Sequence, residues 1–279
     1  VMIETQMGKI AVYDKAVKLI FLSNGFSLAT ILPHLPWIQR KLEIGDALTG
    51  FALLFPAIGA VSMMLLTGNL IQRYSSKRLI LVGGILMQFC LPLILLAPSF
   101  TFLAPILLVF GGSTGMMDIA MNTQAARIEN IYQRPIMSSF HAVFSLGTLL
   151  GGGLTSLLLS LGWTPLEHAG MIAIILLLLI IASGPWLISK EKPSEKKAPL
   201  VSFPRGPVLV LGLLAMMSMI AEGAAMDWSA IYARNLLEAS PSQSAAVFTV
   251  FALTMTLGRF IGDRLVYHWG PKRMLHYSC

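Results

Sequence analysis

The sequence predicts an all-α membrane protein, with one complete six-helix bundle followed by the first two helices of a second. Three observations carry this. Of 279 residues, 56% are apolar and 12% charged, against roughly 25% charged in ordinary soluble domains. No soluble core could hide that much apolar surface. Eight apolar spans follow one another, at 16–38, 47–71, 79–97, 101–125, 138–160, 168–189, 207–233 and 243–266. Each is about 20 residues or longer, enough to cross a hydrocarbon layer of about 30 Å. Finally, the chain starts over. Two apolar helices opening at Asn24-Gly25 and ending in Gln72-Arg73-Tyr74-Ser75-Ser76-Lys77-Arg78 are echoed by two that open at Glu222-Gly223 and reach Asp263-Arg264 and Lys272-Arg273. A parallel repeat of helical bundles is how one large class of secondary transporters is built. The second copy stops soon after Arg273, so its bundle is expected to be incomplete.

The elements divide at one linker, Lys190-Glu191-Lys192-Pro193-Ser194-Glu195-Lys196-Lys197. Residues 1–189 form the six-helix bundle, 190–206 the linker, and 207–279 the two-helix start of the second. The remaining connections are short, which makes consecutive helices antiparallel neighbours. Gly111 and Gly115, and Gly147 with Gly151 to Gly153, sit at helix-packing spacing.

Net charge is +7, but its placement argues for topology and against nucleic acid. All but three of the 20 Lys and Arg lie on the N-terminal side or in even-numbered connections; the exceptions are Arg40, Lys41 and Arg234. That bias puts the N-terminus and the even loops in the cytoplasm, with Lys196 and Lys272 inside and Arg234 outside. The first span is too long and too polar-flanked for a cleaved signal. Cys90 and Cys279 support neither a disulfide framework nor a metal site, and no cofactor is expected.

Ionisable groups within spans are functional suspects by default. They are Asp118, His141, Glu222 and Asp227. Asp118 precedes the loop between spans four and five by about as much as His141 follows it, so both should lie at similar depth on adjacent helices. Asn122 is one turn below Asp118 on the same face. Such a group either holds and relays a proton or simply neutralises a buried carboxylate; the sequence leaves both open. Glu222 falls mid-span, with Asp227 and Trp228 further along. Carboxylates beside an indole make a lining suited to a polar, sugar-like ligand. His34 is expected at the membrane interface.

The helix–loop–helix connections resemble the signature of the major facilitator superfamily, Gly-x-Leu-Ala-Asp-Arg-x-Gly-Arg-Lys. Gly68-Asn69-Leu70-Ile71-Gln72-Arg73-Tyr74-Ser75-Ser76-Lys77 carries Gln72 in place of the acid and Ser75 in place of glycine. The looser second copy, Gly258-Arg259-Phe260-Ile261-Gly262-Asp263-Arg264, keeps the acid. Asn24-Gly25-Phe26, Asp118 to Asn122, Pro135 to His141 and Glu222 to Ser229 are similar to the fucose-permease-like, YbjJ-type branch. The resemblance implies twelve helices in two bundles around a central site, so helices nine to twelve would be missing here or supplied by another chain. It also implies a conformational latch at Gln72, Arg73, Lys77, Arg259, Asp263 and Arg264. A carboxylate there can meet a helix N-terminus and a nearby Arg; Gln72 brings no charge and should hold more weakly. In that group the coupling acids lie on helices one and four. Helix one offers only Asn24, so proton coupling does not carry over directly.

The function expected is secondary transport of a small polar solute, sugar-like by resemblance, with or without a coupled proton, across the bacterial inner membrane. This chain alone would be a non-transporting fragment; the alternative is a membrane interaction protein or the partner of a split transporter. An enzyme is disfavoured, since no His-Glu-x-x-His or Gly-x-Gly-Asp motif occurs. No lysine lies within a late span, where retinal attachment would need one.

Overall fold

The computed structural model describes residues 2–133, 136–189 and 205–278; side chains at 2–9 and at several positions beyond 258 fall outside the description. Among the described residues ten α-helices succeed one another: α1 (Met2–Ile31), α2 (Leu35–Leu42), α3 (Asp46–Tyr74), α4 (Ser76–Leu96), α5 (Phe100–Tyr132), α6 (Met137–Ser160), α7 (Pro165–Ser183), α8 (Pro207–Leu236), α9 (Pro241–Trp269) and α10 (Pro271–Ser278). Among the described residues, seven helical segments are long and apolar enough to cross a membrane, the first being Ile10–Leu42 and the last Pro207–Leu236. The eighth expected span coincides with α9.

Proline chemistry explains several boundaries. α7, α8, α9 and α10 all begin on proline, whose missing N–H would lack a partner in the first turn anyway. The first span is not one helix, as the sequence suggested. Pro33 and Pro36 break it into α1, a 3-10 turn at Leu32–His34, and α2. α7 adds a capping box, with Thr164 Oγ1 accepting from the Glu167 N–H and the Glu167 carboxylate accepting from the Thr164 N–H.

The first six spans pack as α1 on α6, α3 on α5, and α4 on α5 and α7. Two seams depend on glycine. A methyl at Gly111 on α5 would overlap the Pro56 carbonyl of α3, and one at Gly147 on α6 would overlap the Leu22 carbonyl of α1. In lipid, where apolar burial drives no association between helices, close backbone approach supplies the packing. The spacing noted in the sequence is therefore structural here. Phe21, Phe140, Met87, Leu91, Met117 and Met121 fill the space between the seams.

The second unit joins the first through α9, which lies on α6. A Cβ at Gly152 would come within 2.8 Å of the Phe248 ring. α8 packs on α9 and touches α2 near its C-terminal end, where Ala230, Ile231 and Ala233 are buried. Residues 208–221 of α8 are exposed on every side.

Ser75, between α3 and α4, has φ 83° and ψ 148°, a region that costs a non-glycine residue on the order of 1–3 kcal/mol. Its hydroxyl accepts from the Arg78 N–H at 3.4 Å, a cap whose replacement by glycine costs only a few tenths of a kcal/mol. Ser75→Gly should therefore stabilise the protein by about 1 kcal/mol. Thermal unfolding in detergent checks this; a lower Tm would mean that the cap outweighs the strain.

Candidate functional site

α1 and the 3-10 turn that follows it carry buried polar residues, Ser23, Asn24, Ser27 and Thr30 on the helix and His34 in the turn. The hydroxyls are satisfied within the helix, each donating to the carbonyl four residues back. That removes most of the cost of polar side chains in hydrocarbon. Asn24 differs. Its Nδ2 donates to the Met121 sulfur at 3.6 Å, a weak acceptor, and its Oδ1 is buried with no hydrogen-bond partner. An unsatisfied buried acceptor calls for an explanation.

Met121 sits about one turn beyond Asp118 on α5. The Asp118 carboxylate accepts from Asn122 Nδ2 at 3.1 Å, and the same amide reaches the Asp118 backbone carbonyl at 2.9 Å. His141, on α6, is close enough to Asp118 to act on it electrostatically. The His141 ring stands edge-on to Phe21 of α1, centroids 5.4 Å apart. Asn24, Asp118, Asn122 and His141 thus gather where α1, α5 and α6 meet. Asp118 and Asn122 are half-buried and His141 is exposed, so the cluster opens on one side. Below it, Lys18 pairs with Asp14 at 2.9 Å and lies 5.3 Å from the Phe140 ring centroid.

Glu222, Asp227 and Trp228 form a separate, half-buried group on α8. Trp228 packs against the core of the first unit, and its ring would lie 3.5 Å from a Cβ at Gly50 of α3. It links the two units as well as flanking the carboxylates.

At the α3–α4 connection, Gln72 and Arg73 are exposed and Lys77 half-buried. They line an open cleft of about 670 Å³ with Arg78 and Ser189. The Arg73 guanidinium stacks over Tyr74, 5.2 Å from its centroid. Arg259, Asp263 and Arg264 lie on α9, but their side chains fall outside the described residues, as do Pro135 and the linker with Lys196.

Three polar ties escaped the sequence reading. Buried Gln124 donates to Ser76 Oγ (2.9 Å) and the Ile188 carbonyl (2.8 Å), and accepts from the Ile188 N–H (2.9 Å). It fixes α5 to the start of α4 and to the segment after α7. Glu129 accepts from the N–H groups of Ile136 and Met137, both at 2.8 Å, at the start of α6. His34 is buried and bonded to His168 of α7 at 3.0 Å, which in turn meets Thr155 at 3.3 Å. His34 thus lies near the end of its span, buried against the start of α7. The break at Pro33 turns it inward, which a straight helix would not have shown.

The model of the Major Facilitator Superfamily matches residues 18–279. The chain belongs to that superfamily. It is a multi-pass membrane protein of a transporter family, and major facilitator proteins are in general not enzymes. Relatives include an uncharacterized MFS-type transporter of Yersinia pestis, 36% identical over 93% of this chain and 67% of its own length. An uncharacterized transporter of Sinorhizobium fredii is 30% identical, over 92% of this chain and 69% of its own. The membrane protein MosC of Rhizobium meliloti is 29% identical, over 94% and 64%. The chain thus spans about two thirds of the length of these relatives.

Proposed function

We propose that this chain contributes the first bundle and the opening helices of the second to a transporter that moves a small polar, sugar-like solute across the bacterial inner membrane by alternating access. The observation that carries this reading is the cluster of Asn24, Asp118, Asn122 and His141 within the spans, with one buried oxygen left unpartnered. Polar groups kept in hydrocarbon without full satisfaction are expensive, and a solute hydroxyl is the complement that such an oxygen lacks. Glu222, Asp227 and Trp228 serve as the contribution of the second unit. The Asp118–His141 pair holds the coupling proton; a purely neutralising pair is the other reading, and the Asp118→Asn comparison in the Discussion separates the two. Gln72, Arg73 and Lys77, with Arg259, Asp263 and Arg264, act as the latch at the cytoplasmic foot.

The N-terminus and the α3–α4 connection face the cytoplasm in this reading. Cysteine at position 196 or 272 should resist an impermeant thiol reagent added to intact cells, while cysteine at 234 should react. Labelling at 196 from outside would reverse the orientation.

These 279 residues do not transport on their own. Residues 208–221 of α8 are exposed all round, and rocking needs two bundles of comparable build about the site. Further helices cover that face, whether from the same polypeptide or from another chain.

A further inference from the structure

Where the two units meet beside α2, a cavity of about 250 Å³ brings two guanidiniums together and no carboxylate. Arg40 comes from the end of α2 and Arg234 from the end of α8. They are close enough to act on each other electrostatically. Their sequence neighbours fix that closeness independently, because Asn235 Nδ2 donates to Gln39 Oε1 at 3.2 Å across the two units. Arg40 Nε donates to the Pro36 carbonyl at 3.3 Å and Arg234 to the Ala239 carbonyl. Both acceptors are neutral, so the two like charges face each other uncompensated by the walls. Asp46, the nearest acid on α3, accepts instead from Gln39. The remaining walls include the indoles of Trp37 and Trp163 and the imidazole of His34.

Like charges held together at a protein interface repel unless something neutralises them. We propose that an oxyanion, a phosphate or carboxylate group, binds between Arg40 and Arg234 and clamps the two units together at this end. Guanidinium forks present paired N–H donors at the spacing of two oxygens of one anion. The cavity volume suits a phosphate, a small carboxylate or a phosphodiester headgroup. Each unit supplies one of the two arginines, so any motion that parts α2 from α8 dismantles the site. Occupancy therefore favours the state closed at this end, and closure favours occupancy in equal measure. The clamp is separate from the acidic groups of the spans, which would repel an anion.

The test uses the purified protein in phosphatidylcholine nanodiscs, titrated with potassium phosphate against potassium chloride of equal ionic strength. A second arm replaces added phosphate with phosphatidylglycerol in the disc. Unfolding temperature and tryptophan fluorescence are read, since Trp37 and Trp163 line the cavity. A saturable rise in unfolding temperature with a fluorescence change is expected in at least one arm. Response to phosphate marks a dissolved anion, and response to phosphatidylglycerol alone marks a lipid headgroup. R40Q and R234Q should each weaken the response at least about tenfold, the loss of a charge-assisted bidentate contact. R40K, which keeps the charge and the fold, should weaken it less. No response in either arm, or a response unchanged in R40Q and R234Q, overturns the proposal.

Discussion

Gly111→Leu should leave little folded protein. The Gly111 Cα face lies against the Pro56 backbone, where even a methyl overlaps the carbonyl oxygen. Backbone cannot yield as a side-chain tip can, so α3 and α5 must separate along their length. Overpacking a well-fitted core costs typically 1–3 kcal/mol, and a clash of backbone with backbone belongs above that range. The cost should exceed about 3 kcal/mol, comparable with much of the stability of a domain. Gly153→Leu is the control, since a Cβ there meets only the Thr249 methyl at an ordinary 3.7 Å. Fluorescence-detected size exclusion of both variants after expression reads the difference. A Gly111→Leu protein as monodisperse and thermostable as Gly153→Leu would mean that the α3–α5 seam is looser than the structure has it.

Asp118→Asn in the protein as its gene encodes it should abolish accumulation of solute driven by a proton gradient. Membrane insertion should be unaffected, because Asn keeps the hydrogen bond with Asn122. Loss of a positioned proton-carrying group costs on the order of 100-fold in proton-transfer chemistry, and uptake should fall by a similar factor. Downhill exchange of solute, which needs no net proton movement, should survive. If both were lost together with thermal stability, Asp118 would be a neutralised structural carboxylate.

The all-helical character and the seven span-forming helices described here were legible because hydropathy and span length carry them redundantly. The packing glycines were legible for a similar reason. Small residues recurring every four positions in a span have few uses other than close approach, and Gly111 and Gly147 prove to face carbonyls of the neighbouring helix. The break in the first span was less so. Pro33 and Pro36 were visible, but a proline can kink a membrane helix without ending it, and only the fold shows His34 turned toward His168. Gln124 and Glu129 gave no signal, since their partners are mostly backbone groups of distant segments, with one serine hydroxyl, and leave no side-chain pattern to read. Asp118, Asn122 and His141 stood out because charge in hydrocarbon is rare. The open oxygen of Asn24 did not, because satisfaction is a property of the neighbours and not of the residue.

The measurement that bears most directly on the proposed function is solute uptake into proteoliposomes under an inward proton gradient, with radiolabelled hexoses and pentoses as probes. Three preparations are compared: the protein as its gene encodes it, its Glu222→Gln variant, and the 279-residue chain reconstituted alone. The expected result is saturable uptake of at least one sugar by the first, severe loss in the second despite normal insertion, and none by the third if the gene supplies further helices. Uptake by Glu222→Gln equal to the unaltered protein at every pH would remove α8 from the site. Saturable uptake by the 279-residue chain, with crosslinking showing a single copy and no partner, would contradict the requirement for a second complete bundle on which the account rests.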